Sequence, residues 1–333
     1  MNKLANHILI IIVIFVFFTH ACVGFTAPET AVSPSQLSPD DLKTPTVLRS
    51  AEPSPQPAVI SLSNSPSDGL DAGVRAFLAD MHNYNAIGLA ELKKSLEENP
   101  SLFLLDVREM KEVAASGYID GAVLIPLREL ADNTDKLPSF DTPIISYCHS
   151  GWRCAIAITV LEVLGWQDVK CLAENSFSGW VQAGYPVVSG IPEDAPILNA
   201  VQPNPETLAA VALVLKNIPV SNGGIQANDL FKRLQQDTGM ILIDVREDEE
   251  LSAFGVIKSP NVLHIPLREL SEQKAKLPTD KSAEIVVYCS TGYRSAIAMT
   301  ILWLYGYSDV QGLKGGFDFW SKSGFPVAKD AAP

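Results

Sequence analysis

The chain has 333 residues, 47% of them apolar, and a formal net charge of −13. That length and apolar content suffice for two domains, each with its own core. The acidic balance excludes a nucleic-acid binder, which needs Lys/Arg-rich surface to displace counterions from phosphates. It leaves small anionic substrates open, because one local cation outweighs a diffuse acidic surface inside a pocket.

At the start of the chain Lys3 precedes an unbroken apolar run over residues 8–18, and Thr19-His20-Ala21-Cys22 follows it. A charged start, a short apolar run and small residues beyond it read as a secretory signal over residues 1–25. The run falls short of the roughly 20 residues that span a bilayer. Ala21-Cys22 resembles a bacterial lipoprotein cleavage site, which would lipidate Cys22; cleavage between residues 21 and 27 is the alternative. Either reading exports the chain to a periplasmic space or to a membrane that it touches only through its N-terminus. Residues 26–70 follow as a tether dense in Pro, Ser and Thr, with eight prolines and no sustained apolar period, a composition that buries too little to offset the entropy of ordering.

Beyond the tether the chain repeats itself at an offset of 138 to 141 residues. Leu104-Leu105-Asp106-Val107-Arg108-Glu109 matches Leu242-Ile243-Asp244-Val245-Arg246-Glu247. Ile125-Pro126-Leu127-Arg128-Glu129-Leu130 matches Ile265-Pro266-Leu267-Arg268-Glu269-Leu270, and Trp180 matches Trp320. The units are expected over residues 71–190 and 206–330, joined by a Pro-rich link at 191–205.

In each unit short apolar runs alternate with helical patterns. Runs at 102–105, 123–125, 144–147 and 169–172 recur at 241–243, 262–265, 285–288 and 310–313. Their lack of in/out alternation predicts strands of a parallel sheet buried on both faces. Val74, Phe77, Leu78 and Met81, like Leu208, Val211, Ala212 and Leu215, mark one apolar helix face ahead of each unit. Gly165 suits the left-handed position that closes a helix.

Two short loops carry the chemistry. Cys148-His149-Ser150-Gly151-Trp152-Arg153 and Cys289-Ser290-Thr291-Gly292-Tyr293-Arg294 share the pattern Cys-x-x-Gly-x-Arg, each between an expected strand and an expected helix. A strand, a cysteine, a glycine bend and a helix place several backbone N–H groups around the sulfur. Thiols in such settings ionise more readily and act as nucleophiles. Gly151 and Gly292 allow a bend that a β-carbon would hinder. Arg153 and Arg294 offer a fixed positive fork to an oxyanion.

The remaining residues have plainer readings. Asp106/Arg108 and Asp244/Arg246 pair at a strand end to hold neighbouring loops, and Trp180 and Trp320 belong to the core. His149 is a candidate proton relay that the second loop lacks, since Ser290 stands there. Trp152 and Tyr293 shape the pocket mouth. The cysteines show no metal or disulfide spacing. Cys171 reads as an inert strand thiol and Cys154 as helix packing, with resolution of an oxidised Cys148 as the alternative.

Asp-Val-Arg-Glu, Gly117 to Ala122, Ile-Pro-Leu, the two cysteine loops, and Gly315-Gly316-Phe317-Asp318-Phe319-Trp320 with Phe325-Pro326-Val327 occur in one order across about 240 residues. This order resembles the rhodanese-like sulfurtransferases. The resemblance implies two α/β domains, each a central parallel sheet of about five strands flanked by helices, with the cysteine loop at the carboxyl ends of the strands. It implies no cofactor and no metal.

The resemblance also implies transfer of sulfane sulfur through a cysteine persulfide, from a small anionic donor such as thiosulfate to cyanide, a thiol or a sulfur-acceptor protein. Cys289 and Cys148 are the nucleophiles, in that order. Arg294, Arg153, Gly292, Gly151, Ser290, Thr291, Tyr293, His149, Ser150 and Trp152 contact the substrate. Related phosphatases place five residues between Cys and Arg; four stand here, too small a cradle for a tetrahedral oxyanion. The first unit has Glu174-Asn175-Ser176 in place of Lys314-Gly315-Gly316, which is expected to alter its pocket.

Overall fold

The computed structural model describes residues 68–198, 201–236 and 239–329. The signal, Cys22 and the tether up to residue 67 lie outside the described residues.

The first unit runs α1 (Asp68–Ala79), β1 (Ala86–Ile87), α2 (Leu89–Glu98), β2 (Phe103–Asp106), α3 (Met110–Ser116), β3 (Val123–Leu124), β4 (Ile144–Tyr147), α4 (Trp152–Leu164), β5 (Val169–Leu172) and α5 (Ser176–Gln182). Its sheet has the order β1-β5-β4-β2-β3 with every pair parallel. The second unit runs α6 (Pro205–Asn217), β6 (Gly224–Ile225), α7 (Ala227–Leu234), β7 (Ile241–Asp244), α8 (Asp248–Phe254), β8 (Val256–Ile257), β9 (Val262–His264), β10 (Ile285–Tyr288), α9 (Tyr293–Leu304), β11 (Val310–Leu313), α10 (Gly316–Lys322) and β12 (Val327–Ala328). Its main sheet is β6-β11-β10-β7-β9, again parallel, and β8 pairs antiparallel with β12.

The eight strands expected from sequence are present, and each sheet gains a two-residue edge strand, β1 or β6, too short to leave a periodic signal. The central strands β4 and β10 are buried throughout, as parallel strands covered by helices on both faces must be. A cysteine directly follows each, which puts both loops at the carboxyl edge of a sheet, where open α/β folds bind ligands.

One face of each sheet packs in its own cluster: Leu104, Tyr147, Phe177 and Trp180 in the first unit, and Leu242, Tyr288, Phe317 and Trp320 in the second. The other faces share one core, in which Leu105 and Ile156 join Ile243 and Ile297. Helices α4 and α9 meet in that core. Both are apolar around their whole circumference, with every position from Cys154 to Leu161 and from Arg294 to Leu304 buried, so each needs cover on the side facing away from its own sheet.

The leading helices also cross between units. Asp71 of α1 accepts hydrogen bonds from Lys274 Nζ at 2.8 Å and Tyr305 Oη at 3.0 Å. In return α6 packs on residues 127–136 of the first unit, where Lys216 pairs with Asp132. Asn204 starts α6, its side chain accepting from the backbone N–H groups of Glu206 and Thr207, with Pro205 in the first turn, a helix start written in the sequence.

Candidate active site

Each loop turns from strand to helix through a left-handed glycine, with φ 99° at Gly151 and 101° at Gly292. The turn brings Gly151 N to 3.2 Å from Cys148 Sγ and Gly292 N to 3.1 Å from Cys289 Sγ. A β-carbon on Gly151 would meet Ala173 O at 3.2 Å, and one on Gly292 would meet Leu313 O at the same distance. Glycine is therefore required twice over, by conformation and by space. The thiols sit at the N-termini of α4 and α9, nearly inaccessible, at 1% exposure for Cys148 and 0% for Cys289.

The arginines end in carboxylates. Arg153 Nη1 and Nη2 donate to Glu112 at 2.5 and 2.7 Å, and Arg294 makes the same fork to Glu250 at 2.6 and 2.7 Å. The forks that the sequence offers to an oxyanion are thus engaged within the protein. Burial opposes the charge on Glu250, but Arg294, the Ser290 hydroxyl and the Glu247 N–H outweigh it and hold the carboxyl down to about 2. Glu112 is lowered for the same balance of reasons, burial against Arg153. Both glutamates also cap their helices, Glu112 accepting from Glu109 N and Glu250 from Glu247 N.

Among the other loop residues, His149 is exposed and bonds through its ring to Ser178 Oγ, while Ser150 and Thr291 are exposed. Ser290 Oγ donates to Glu250 and accepts from Arg294 Nη2.

The strand-end pairs are structural, as read. Arg108 Nη2 lies 2.6 Å from Asp106 and 2.8 Å from Gly117 O, with its guanidinium 3.7 Å above the Phe177 ring. Arg246 repeats this with Asp244, Gly255 O and Phe317.

Two expectations are corrected. The loss of the glycine pair in the first unit leaves the backbone path intact: Asn175 and Ser176 take positive φ, 56° and 52°. Phe177 N still donates to Cys148 O, as Phe317 N does to Cys289 O, and Ser176 Oγ accepts from Cys148 N at 2.9 Å. The seryl oxygen thus fastens the loop, at the steric cost of a side chain in left-handed space. Cys154 and Cys171, read as free thiols, are joined in a disulfide between α4 and β5. The return of the chain through α4 to β5 brings the two together although they lie 17 positions apart; the second unit has Ser295 and Gly312 at these places.

Each loop is also held by the opposite unit. Trp152 Nε1 donates to Asn222 O at 2.7 Å, and Tyr293 Oη donates to Asn85 O at 3.3 Å. Arg128 Nη2 donates to Pro219 O and Arg268 Nη2 to Met81 O. The contacts match in pairs, so the units are related by an approximate two-fold. The edge strands Ala86–Ile87 and Gly224–Ile225 match, which sets Tyr84 opposite Asn222, and this position breaks it.

Tyr84 lies between the Arg268 and Arg294 guanidinium groups, 4.7 and 4.9 Å from its ring, and its hydroxyl donates to Glu247 at 2.5 Å. At Cys148 there is instead an open cleft of about 610 Å³, lined by Glu109, Glu112, Arg153 and, from the second unit, Val220, Asn222 and Lys314.

Sequence reasoning missed Glu112, Glu250, Tyr84 and Lys314. The glutamates did leave a signal, since both units keep one four residues after the strand-end arginine.

A parallel α/β sheet whose central strand delivers a buried thiol to a helix N-terminus, built twice in one chain, defines a tandem sulfurtransferase. Residues 88–183 and 227–323 each match the rhodanese-like domain, and the chain belongs to that family. The sulfurtransferase of Allochromatium vinosum is 32% identical over 103 residues, 31% of this chain and 92% of that protein. The rhodanese domain-containing protein CG4456 of Drosophila melanogaster is 31% identical over 104 residues, 28% of this chain and 93% of its own length. The crystal structure of a rhodanese-related protein from Thermoplasma volcanium is 32% identical, covers 32% of this chain and 98% of its own, and superposes with a TM-score of 0.28.

Proposed function

We propose that the chain moves sulfane sulfur from an anionic donor such as thiosulfate to cyanide or a thiol by double displacement at its loop cysteines. The observation that carries this reading is the thiol seated at a helix N-terminus with a glycine N–H aimed at its sulfur, once in each unit. A cysteine thiolate attacks the outer sulfur of thiosulfate, the S–S bond of the donor breaks, and sulfite leaves with the electron pair. The cysteine persulfide that remains is anionic, and the loop N–H groups and the helix end stabilise it. Cyanide then attacks the terminal sulfur, thiocyanate departs and the thiolate is regenerated. Arg153 and Arg294, fixed by their glutamates, keep a positive edge beside the loop.

The test is thiocyanate formation together with intact mass after thiosulfate treatment. Wild type gains one sulfur that a reductant removes, and the double variant C148S/C289S loses both the adduct and turnover. Turnover that survives in the double variant overturns the proposal. An adduct without cyanide turnover points to a carrier that hands sulfur to an acceptor protein.

We also propose that the chain is exported. The apolar N-terminal run supports this, and the Cys154–Cys171 disulfide suits an oxidising compartment. Fractionation of wild type against C22A, with an acyl label, separates a lipidated from a released form.

A further inference from the structure

We propose that Lys314, a residue of the second unit, is the anion-recognising residue of the Cys148 site. The inference rests on Cys148 being a reactive thiol and adds what selects its partner.

The cleft over Cys148 is lined by four cationic side chains, Lys111, Arg128, Arg153 and Lys314, and two acidic ones, Glu109 and Glu112. Arg153 is committed to Glu112 through both of its terminal nitrogens, and Arg128 is turned to Pro219 O. Lys111 is exposed, and Lys314, in contact with the loop itself, has no carboxylate partner among the described residues. It is half-buried, and its ammonium stands 5.7 Å from the centre of the Trp152 ring, inside the first loop. Burial, and then repulsion from Arg153, push its pKa down. Arg153 already has its counterion in Glu112, whereas Lys314 has none, and a bound anion supplies it.

The chain builds this placement deliberately. Lys314 reaches the cleft by lying flat on Gly224, where a β-carbon would come within 2.0 Å of its Cε. Its backbone N–H donates to Ile225 O, extending the β11–β6 pairing by one bond. In the first unit the residue making the matching bond, to Ile87 O, is Ala173. The approximate two-fold therefore supplies no equivalent cation to the Cys289 loop. The ligand class follows from the charge and size of the site: a small anion with its reactive atom at one end, such as thiosulfate, with the oxyanion end toward Lys314 and the outer sulfur toward Cys148.

The experiment compares two alkylating agents of similar size at Cys148, in a C22A/C289S background where Cys154 and Cys171 are disulfide-bonded. Iodoacetate is anionic and iodoacetamide is neutral. A lysine steering anions makes K314Q lower the iodoacetate rate about fivefold, the size expected for one charge acting through a partly screened cleft. The iodoacetamide rate should stay unchanged and K314R should restore the ratio. In parallel, K314Q raises KM for thiosulfate with little change in kcat. If K314Q slows both reagents equally, or neither, the proposal fails. A shifted ratio without a persulfide adduct sinks the sulfur-transfer reading and keeps the anion site. An adduct with an unshifted ratio does the reverse.

Discussion

The loops at Cys148 and Cys289 start from the same local chemistry and arrive at different sites. Glycine turn, N–H to sulfur, helix N-terminus and arginine–glutamate fork agree to within about a tenth of an ångström in the bonds quoted for the two. What differs is what the opposite unit lays over each loop. Cys148 receives Asn222 and Lys314, which leave an open, positively charged cleft. Cys289 receives Tyr84, wedged between two guanidinium groups. The turn at 83–85 is left-handed, with φ of 46°, 54° and 54°, as the matching turn is at Asn222 and Gly223 with 53° and 72°, so the side chain at this place and not the backbone path makes the difference. Duplication thus conserved the reactive element and diversified its cover.

The strongest way to break this comparison is to remove each nucleophile separately. With thiosulfate as donor, C148S should lower kcat/KM by at least about 100-fold, as expected when a nucleophile is lost, while C289S stays close to wild type. Equal losses would show that Tyr84 does not separate the sites. The next test sharpens the point. In a C148S background, Y84A should raise the remaining turnover about tenfold by uncovering Cys289, and Y84F, which keeps the ring, should not. A parallel rise in Y84F would assign the effect to the lost hydrogen bond to Glu247.

Stability should separate the units as well. The disulfide joins positions 17 apart, so replacing both cysteines by serine should destabilise the protein by about 2–4 kcal/mol, with the larger loss of protection in the first unit. Hydrogen exchange in β5 and β11 reads the two separately. Thiol titration of unfolded C22A without reductant should find Cys148 and Cys289 free, and four thiols here would remove the basis for the difference.

The smallest effects are in pH dependence, and they have opposite signs. Glu250 is held at about 2 against an ordinary 4.5. Its contribution is present above 4.5 and lost as pH falls through 2, by about 1 kcal/mol once solvent screening is allowed for. Glu162 is pushed up to about 7, first by burial and then by Asp80 and Asp168. The folded state therefore favours its protonated form, and that contribution is lost as pH rises from 4.5 through 7. E162Q should flatten the melting profile on the neutral side and E250Q on the acid side. Glu162 also accepts from Asn85 Nδ2 at 3.1 Å, within the Tyr84 segment, so its titration reports on the cover of Cys289.

Much of this protein is legible in its sequence because the relevant forces are local. Apolar runs without alternation marked the buried strands, and the glycines at 151 and 292 marked the turns beside the thiols. The two loops and their thiols follow from one repeated hexapeptide.

Tertiary structure decided the rest, because partners far apart in sequence leave no period to read. Glu112 meets Arg153 across 41 residues, Cys154 meets Cys171 only once α4 lies on β5, and Tyr84 reaches Glu247 across 163. The sequence by itself determined two equivalent nucleophilic loops. Their inequivalence, with Lys314 over one and Tyr84 over the other, arises from docking of the two units, where side chains that belong to neither loop set the charge and the space around each thiol.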